Sequence, residues 1–437
     1  MTTDASTTES TTRCVVAGGG PGGVVLAYLL ARAGVPVTLL ESRPDFDRRF
    51  RGDTLAPPVL KLLDTLGLAD PLLAAVPHRT ADAFVWSTAT RSYRLADYRG
   101  TSAKYPYYAL VPQGRFLPFM VEQAGRFPGF RVEMGARVSA LLRDGDGDGG
   151  GGRVTGVEYV QDGTRHRLHA DLVVGADGRN SKVRTLSTIT ATELGAHLDI
   201  CWYEVPRRDG DPALSGLELI AEPGSTLAVL GQASGWQLGY TIPAGSFPEL
   251  RAEGIGPVVA ALRRRLPWLG DRLDGLTEVN QLSLLPVRIT RTDRWTEPGL
   301  LLIGDAAHVI SPVGGNGVNY AMLDAVEAAN RLVGPLLAER VDRAAVDAAA
   351  AAVEAARRPL VERDQERQKR TERDAARRLR TRDPRPPLIL RVFATVPGVS
   401  RWLAARNVRA LAAPAVDDRI LHPAAVPLSP RRSAPPG

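Results

Sequence analysis

The stretch that most constrains this chain is Val15-Val16-Ala17-Gly18-Gly19-Gly20-Pro21-Gly22-Gly23, which joins a short apolar run to a helical one. Gly18, Gly20 and Gly23 stand at GxGxxG spacing. That spacing predicts a strand, a tight turn and a helix opening at Pro21. The first glycine permits the turn, the second lets backbone approach a pyrophosphate, and the third lets helix and strand touch. The helix N-terminus, starting with Pro21 and Gly22, offers amide donors and a partial positive charge to phosphate oxygens. Val35 to Glu41 reads as the next strand, and Glu41 ends it where a carboxylate can accept from ribose hydroxyls. A bare glycine pattern says little; this one sits in a β-α-β setting and predicts a dinucleotide site.

The same chain shows why the setting matters. Gly145-Asp146-Gly147-Asp148-Gly149-Gly150 also matches GxGxxG, but it lies in a hydrophilic loop between strand-like segments and no helix follows. Asp144, Asp146 and Asp148 mimic the start of a calcium loop, whose twelfth position would need a bidentate Glu and is Thr155. A plain hairpin connection is expected. His166 and His169 are too weakly patterned to suggest a metal, so no metal site is expected.

Two further stretches complement the first. Asp171-Leu172-Val173-Val174-Gly175-Ala176-Asp177-Gly178 is an apolar strand ending in Asp-Gly. Leu300-Leu301-Leu302-Ile303-Gly304-Asp305 is another, and it delivers a carboxylate where ligands sit in open α/β sheets. An acceptor at Asp305 suits a polyol chain such as ribityl. Pro312, then Gly314, Gly315, Asn316 and Gly317, leave backbone amides bare before a helix starting near Val318. Such amides can hold negative charge on a reduced isoalloxazine ring. The order of the three stretches predicts one FAD, gripped at its adenine end, its middle and its ring.

Composition narrows the setting. The chain has 437 residues, 44% hydrophobic and 24% charged, which reads as a soluble globular protein. No apolar run reaches the ~18 residues of a membrane span. Met1 to Thr12 is polar and reads as a disordered tail. Two cysteines, Cys14 and Cys201, make no disulfide framework, and a cytoplasmic location is expected. The net charge is +7, with Arg357 to Arg382 dense in both signs. That segment holds no aromatic residue and reads as a solvated, salt-bridged helix, not as a nucleic-acid or membrane surface.

The pattern along the chain predicts an α/β fold: a Rossmann-like FAD-binding domain, an inserted, mostly antiparallel β-sheet substrate domain, and a C-terminal helical region. The expected bounds are a tail over 1–12 and a discontinuous FAD domain over 13–80, 106–185 and 281–335. The substrate domain takes 81–105 and 186–280, and the helical region and tail take 336–437. Helix is expected from Asn319 to about Arg380, broken near Pro335 and Pro359.

These three motifs, in this order and spacing over Arg13 to Arg331, resemble the class A flavoprotein monooxygenases typified by para-hydroxybenzoate hydroxylase. The resemblance implies that Glu41 holds the adenosine ribose. It implies that Arg51 lies near the pyrophosphate, and that Gln113 and Arg115 approach the ribityl and phosphate region. Asp177 would help hold the FAD and shape NADPH access, Asp305 would bind the ribityl chain, and Pro312 would lie against the flavin face. The segment after Pro312 departs from the family by carrying Asn316 where Gln is frequent. The implied activity uses NADPH (or NADH) as a transient reductant, since the chain has only one convincing dinucleotide fingerprint. Oxygen is then transferred through a flavin hydroperoxide to an aromatic or polyketide-like small molecule, in secondary metabolism. A monomer or homodimer is expected.

No catalytic base is identifiable from sequence. Pro312, Asn316, Tyr203 and Tyr240 are the weak candidates, while His78 and His308 read as structural or exposed. Three rivals share these features. A flavin-dependent halogenase would want Trp-x-Trp-x-Ile-Pro, and Cys201-Trp202-Tyr203-Glu204-Val205-Pro206 is a poor match. A biosynthetic cyclase with structural FAD would make product without NADPH or oxygen. A flavin-binding protein without turnover would consume no NADPH.

Overall fold

The computed structural model describes residues 8–47, 54–89, 91–99, 104–145, 151–195, 197–212, 216–233, 235–312, 315–381, 396, 398–411 and 413–422. Arg51, Gly314 and the middle of the glycine-aspartate loop lie outside these residues.

Two sheets organise the chain. The first is built on a parallel core: β1 (Thr8–Ala17), β2 (Val37–Glu41), β3 (Phe130–Met134), β4 (Thr164–Gly175) and β5 (Leu300–Leu302), in spatial order β5-β4-β1-β2-β3. The register puts Ala17 beside Gly175 and Leu40, and Gly175 beside Leu302. All three glycine-bearing turns therefore leave the sheet at the same edge, the carboxyl ends of its strands. β1 begins earlier than the composition suggests. Thr8 to Thr12 pair with His166 to Ala170, because the long strand β4 offers them a partner.

Helix α1 (Pro21–Arg32) packs on α2 (Gly317–Leu337) above this sheet. Gly22 makes that approach possible: a Cβ there would sit 3.0 Å from the Ala321 carbonyl oxygen. Helix α3 (Arg343–Thr381) runs unbroken through Pro359, and the chain turns at 338–342 instead. Packing against α2 outweighs the local penalty of one proline.

The second sheet has seven strands in the order 283–286, 198–206, 235–243, 225–231, 216–222, 83–87 and 92–97, antiparallel except where 216–222 meets 83–87. Its two faces are partitioned by the strand alternation. Cys201, Val205, Leu227, Val229, Trp236 and Leu238 point to one face, where they form a core with Leu250, Leu262, Leu269 and Leu273 from the helices over 247–276. Leu217, Leu230 and Phe84 point to the other and join the core of the first sheet. That second face is therefore the one that meets the first sheet's core. No described helix is long and apolar enough to cross a membrane.

Candidate flavin site

The glycine turn has the geometry its spacing predicts. Gly18 has φ +110°, and a Cβ there would fall 2.5 Å from the Ala176 carbonyl oxygen. A Cβ on Gly23 would fall 1.9 Å from the Gly18 carbonyl oxygen. Helix α1 starts at Pro21 after Gly20, with no side chain capping it. Its first amides are thus left for something outside the helix. Glu41 is buried at the end of β2 and accepts from Gly19 N–H (2.8 Å), Arg43 N–H (2.9 Å) and Ser42 Oγ (3.2 Å). The carboxylate therefore ties the end of β2 to the glycine turn.

The helix Gln113–Ala124 is brought to the same turn by Phe46. A Cβ on Gly19 would lie 2.9 Å from the Phe46 ring and one on Gly114 3.5 Å from the Phe46 carbonyl oxygen. Gln113 is buried at the first position of that helix, which no side chain caps. Arg115, in the same turn, is exposed and forms no ion pair among the described residues.

Asp177 is engaged by local donors. One carboxylate oxygen accepts from Ser181 Oγ (2.5 Å) and the other from Lys182 N–H (2.7 Å) and Val183 N–H (3.0 Å). The side chain thus caps the short helix Lys182–Leu186, and burial pushes its carboxyl above the ordinary carboxylate value. The capped helix carries Arg184, which donates to the Ala306 carbonyl (2.6 Å) and the Arg179 carbonyl (3.0 Å). Arg179 Nε lies 4.0 Å from Asp305 Oδ2. The central Asp-Gly segment and the late Gly-Asp segment, far apart in sequence, are stapled together by these two arginines.

The late segment is held from below by residues that sequence inspection passed over. Gly304 N–H donates to Asp324 Oδ2 (3.0 Å), His308 Nε2 meets the same oxygen (2.7 Å), and Arg357 Nε donates to Oδ1 (2.8 Å). Asp324, Arg357 and His308 are all buried. Burial pushes the Asp324 carboxyl upward, but His308 and Arg357 outweigh it and hold it below the ordinary value. Gln365 Nε2 donates to the Val309 carbonyl (3.0 Å), and Ser311 N–H donates to Gln368 Oε1 (2.9 Å). One face of α3 is therefore a buried polar seam, Arg357, Asp364, Gln365, Gln368 and Glu372, and not the wholly solvated surface its composition suggests. Glu372 is 1% exposed, and burial pushes its carboxyl up, with Ser311 beside it opposing that shift.

The ring end is set by Gly315 and Asn319. Gly315 has φ +68°, and a Cβ there would fall 2.5 Å from Thr54 Oγ1. Thr54 Oγ1 donates to the Gly315 carbonyl (2.6 Å). Asn319, fully buried, accepts from Ala56 N–H (2.8 Å) and donates to the Thr54 carbonyl (3.1 Å). Pro312 accepts from Gly315 N–H (2.9 Å). Asn316 precedes α2, which begins at Gly317 and Val318 with no side-chain cap, and its Oδ1 is buried without a partner.

Tyr203 and Tyr240 are poor reaction groups in this arrangement. Both pack into the helix-covered core of the second sheet, on the face opposite the one that joins the first sheet's core. A Cβ on Gly275 would lie 3.9 Å from the Tyr203 hydroxyl, and burial pushes the Tyr240 phenol up. Three helix N-termini without a side-chain cap, at Pro21, Gln113 and Gly317, carboxylates at strand ends and glycines packed to contact suit an elongated, diphosphate-bearing cofactor with a polyol segment.

Comparison with known proteins gives the class. A family model described as FAD binding domain matches residues 11–381. The chain is 34% identical over 353 residues to 6-methylpretetramide 4-monooxygenase of Streptomyces rimosus, covering 80% of this chain and 81% of that protein. It is 32% identical over 372 residues to protoasukamycin 4-monooxygenase of Streptomyces nodosus subsp. asukaensis, covering 81% and 86%. The solved p-nitrophenol 4-monooxygenase of Pseudomonas putida DLL-E4 superposes with a TM-score of 0.73 at 22% identity, covering 93% and 100% of the two chains. The chain belongs to the FAD-binding monooxygenase family. It is an FAD-dependent oxidoreductase with a mixed α/β fold.

Proposed function

We propose that this enzyme uses NADPH and oxygen to hydroxylate a phenolic, polyketide-like aromatic compound in secondary metabolism, working in the cytoplasm. The observation that carries the reading is that the turns after Ala17, Gly175 and Leu302 leave the parallel sheet together at the carboxyl ends of its strands, beside a helix N-terminus at Pro21 that no side chain caps. The curated relatives named above support a fused-ring or extended phenolic substrate. The overall balance is substrate C–H, O2, NADPH and a proton giving C–OH, water and NADP+. When bound, FAD supplies the hydride acceptance and oxygen activation.

The chain's own residues bind, orient and seal. Glu41 would meet the adenosine ribose, and the amides of the first turn of α1 would meet the pyrophosphate beside Gly18, Gly20, Pro21, Gly22 and Gly23. Gln113 and Arg115 would reach the ribityl and phosphate region with Arg51, and Asp305 would accept from ribityl hydroxyls. Pro312 would lie on the ring face, and Gly315, Asn316, Gly317 and Val318 would present backbone donors to its edge. Asp177 would act indirectly, by keeping Arg184 and hence the Gly304–Ala306 turn in place. In domain terms, the sheet over 81–105 and 186–280 would form the substrate wall.

The test is anaerobic. NADPH added with 6-methylpretetramide should bleach the flavin absorbance, and oxygen should then yield a product heavier by one oxygen atom. A flavin that stays oxidised under NADPH with every phenolic compound tried would end the proposal. Product formed without NADPH or oxygen would instead establish a cyclase.

A further inference from the structure

The face of the seven-stranded sheet turned away from the helices over 247–273 carries one row of residues that its register makes contiguous. Trp202 pairs with Gly239, Gly239 with Ala228, Ala228 with Leu219, and Leu219 with Trp86. All five point away from the helix-covered core, because Cys201, Leu238, Leu227, Val229 and Ile220 beside them point into it. The row is two tryptophans with a floor of Leu, Ala and Gly between them. Four interstrand steps separate its ends, about 19 Å.

Neither tryptophan belongs to a hydrophobic core. Both are half-buried, and neither packs with the cluster on either side of the sheet. The Trp202 ring leans over Gly239: a Cβ there would sit 3.0 Å from Trp202 Cζ3, 3.1 Å from Ala228 Cβ and 3.1 Å from Ile200 Cγ2. At the other end the Trp86 indole N–H is buried without an acceptor. Large rings left out of both cores, flanking a floor of Leu219, Ala228 and Gly239, leave a flat apolar trough. Leu217, Leu230 and Phe84 pack the same face against the core of the first sheet, so the trough lies on the side of the sheet that meets the flavin domain.

We propose that Trp202 and Trp86 are the specificity-determining walls of the substrate site, and that the trough between them selects a planar, fused-ring aromatic compound over a single-ring phenol. This rests on the hydroxylase reading for its substrate class, but binding can be measured apart from turnover. Trp202 stacks on the ring system, Gly239 keeps that indole seated, and Ala228 leaves depth for the ligand's flat face. Stacking of this kind adds to area burial and is insensitive to the ring's substituents.

The experiment uses the FAD-loaded enzyme and two probes, 6-methylpretetramide and p-nitrophenol. Binding is read by quenching of tryptophan fluorescence, with the visible flavin spectrum of each variant as the folding control. The parent should bind the tetracyclic probe at least tenfold more tightly than p-nitrophenol. Trp202→Leu should weaken the tetracyclic probe about tenfold and p-nitrophenol less than threefold. Trp202→Phe should stay within about threefold of the parent. Gly239→Ala, which displaces the Trp202 ring, should weaken the tetracyclic probe several-fold while keeping the flavin spectrum. Equal affinity of the parent for both probes, or Trp202→Leu binding the tetracyclic probe like the parent, would overturn the trough. A parent that binds the tetracyclic probe in this way but never hydroxylates it would leave the trough standing and remove the hydroxylase reading.

Discussion

The two sheets build their halves of the site by different means. The parallel sheet uses contiguous motifs, in which a glycine, its turn and the next helix N-terminus lie within a few residues of one another. The seven-stranded sheet uses register alone, and its row from Trp86 to Trp202 draws one residue from each of five strands. The first kind of site depends on backbone conformation and tolerates almost no added atom. The second depends on side-chain shape and can be altered without disturbing the fold. Between them runs the polar seam of α3, which fixes the late flavin loop from behind.

The same chemical change at two glycines gives the sharpest break in this comparison. Gly23→Ala drives a methyl into the Gly18 carbonyl, so the turn must open at a cost of about 3 kcal/mol or more. The purified variant should be colourless or unfolded, and a yellow, stable protein would refute the contact. Gly239→Ala meets only side chains, and should leave FAD content at the level of the parent.

Next in size is the seam. Asp324→Ala strands His308 and Arg357 as buried groups without their acceptor, and should cost roughly 3–5 kcal/mol in denaturant unfolding. Because the native carboxyl of Asp324 is held low, its contribution is present above the ordinary carboxylate value, about pH 4, and is lost as the pH falls through the lower native value. Acid unfolding of the parent should therefore be steeper than that of Asp324→Asn.

Glu372 has the opposite sign. Burial raises its carboxyl, so the folded state is penalised as the pH rises from about 4 through the raised value. Glu372→Gln should stabilise the protein at pH 8 by on the order of 1 kcal/mol and change little at pH 4. Stability that is equally affected at both values would show that burial does not penalise the carboxylate beyond what Ser311 offsets. The smallest effect belongs to Arg115→Ala, which should change unfolding by less than about 0.5 kcal/mol while weakening FAD measurably. Unchanged FAD affinity would remove Arg115 from the site.

Much of the flavin half was legible because its chemistry is local. Gly18 and Gly23 make the close backbone contacts that their spacing anticipates, and Glu41 and Asp305 stand at or just past strand ends. The polar seam was hidden because Arg357, Asp364, Gln368 and Glu372 are interleaved with exposed charges, and only their helical spacing sets them apart. Asp324 and Asn319 were missed although each interrupts an otherwise apolar helix face, a signal present in the chain. Asp177 was assigned to the cofactor by resemblance, whereas the local Ser181-Lys182-Val183 turn already offers its carboxylate three donors. Tyr203 and Tyr240 could not be oriented, because period-two alternation says that neighbours oppose but not which face is open.

The amino-acid sequence determined the strand-turn-helix units and the class of ligand they hold, since backbone conformation at glycine and the placement of carboxylates at strand ends are local properties. The tertiary structure alone decided which face of the second sheet is covered and which residues become neighbours across five strands. It also decided which charges on α3 lose their water. Those outcomes depend on register and burial, which arise only when distant segments pack.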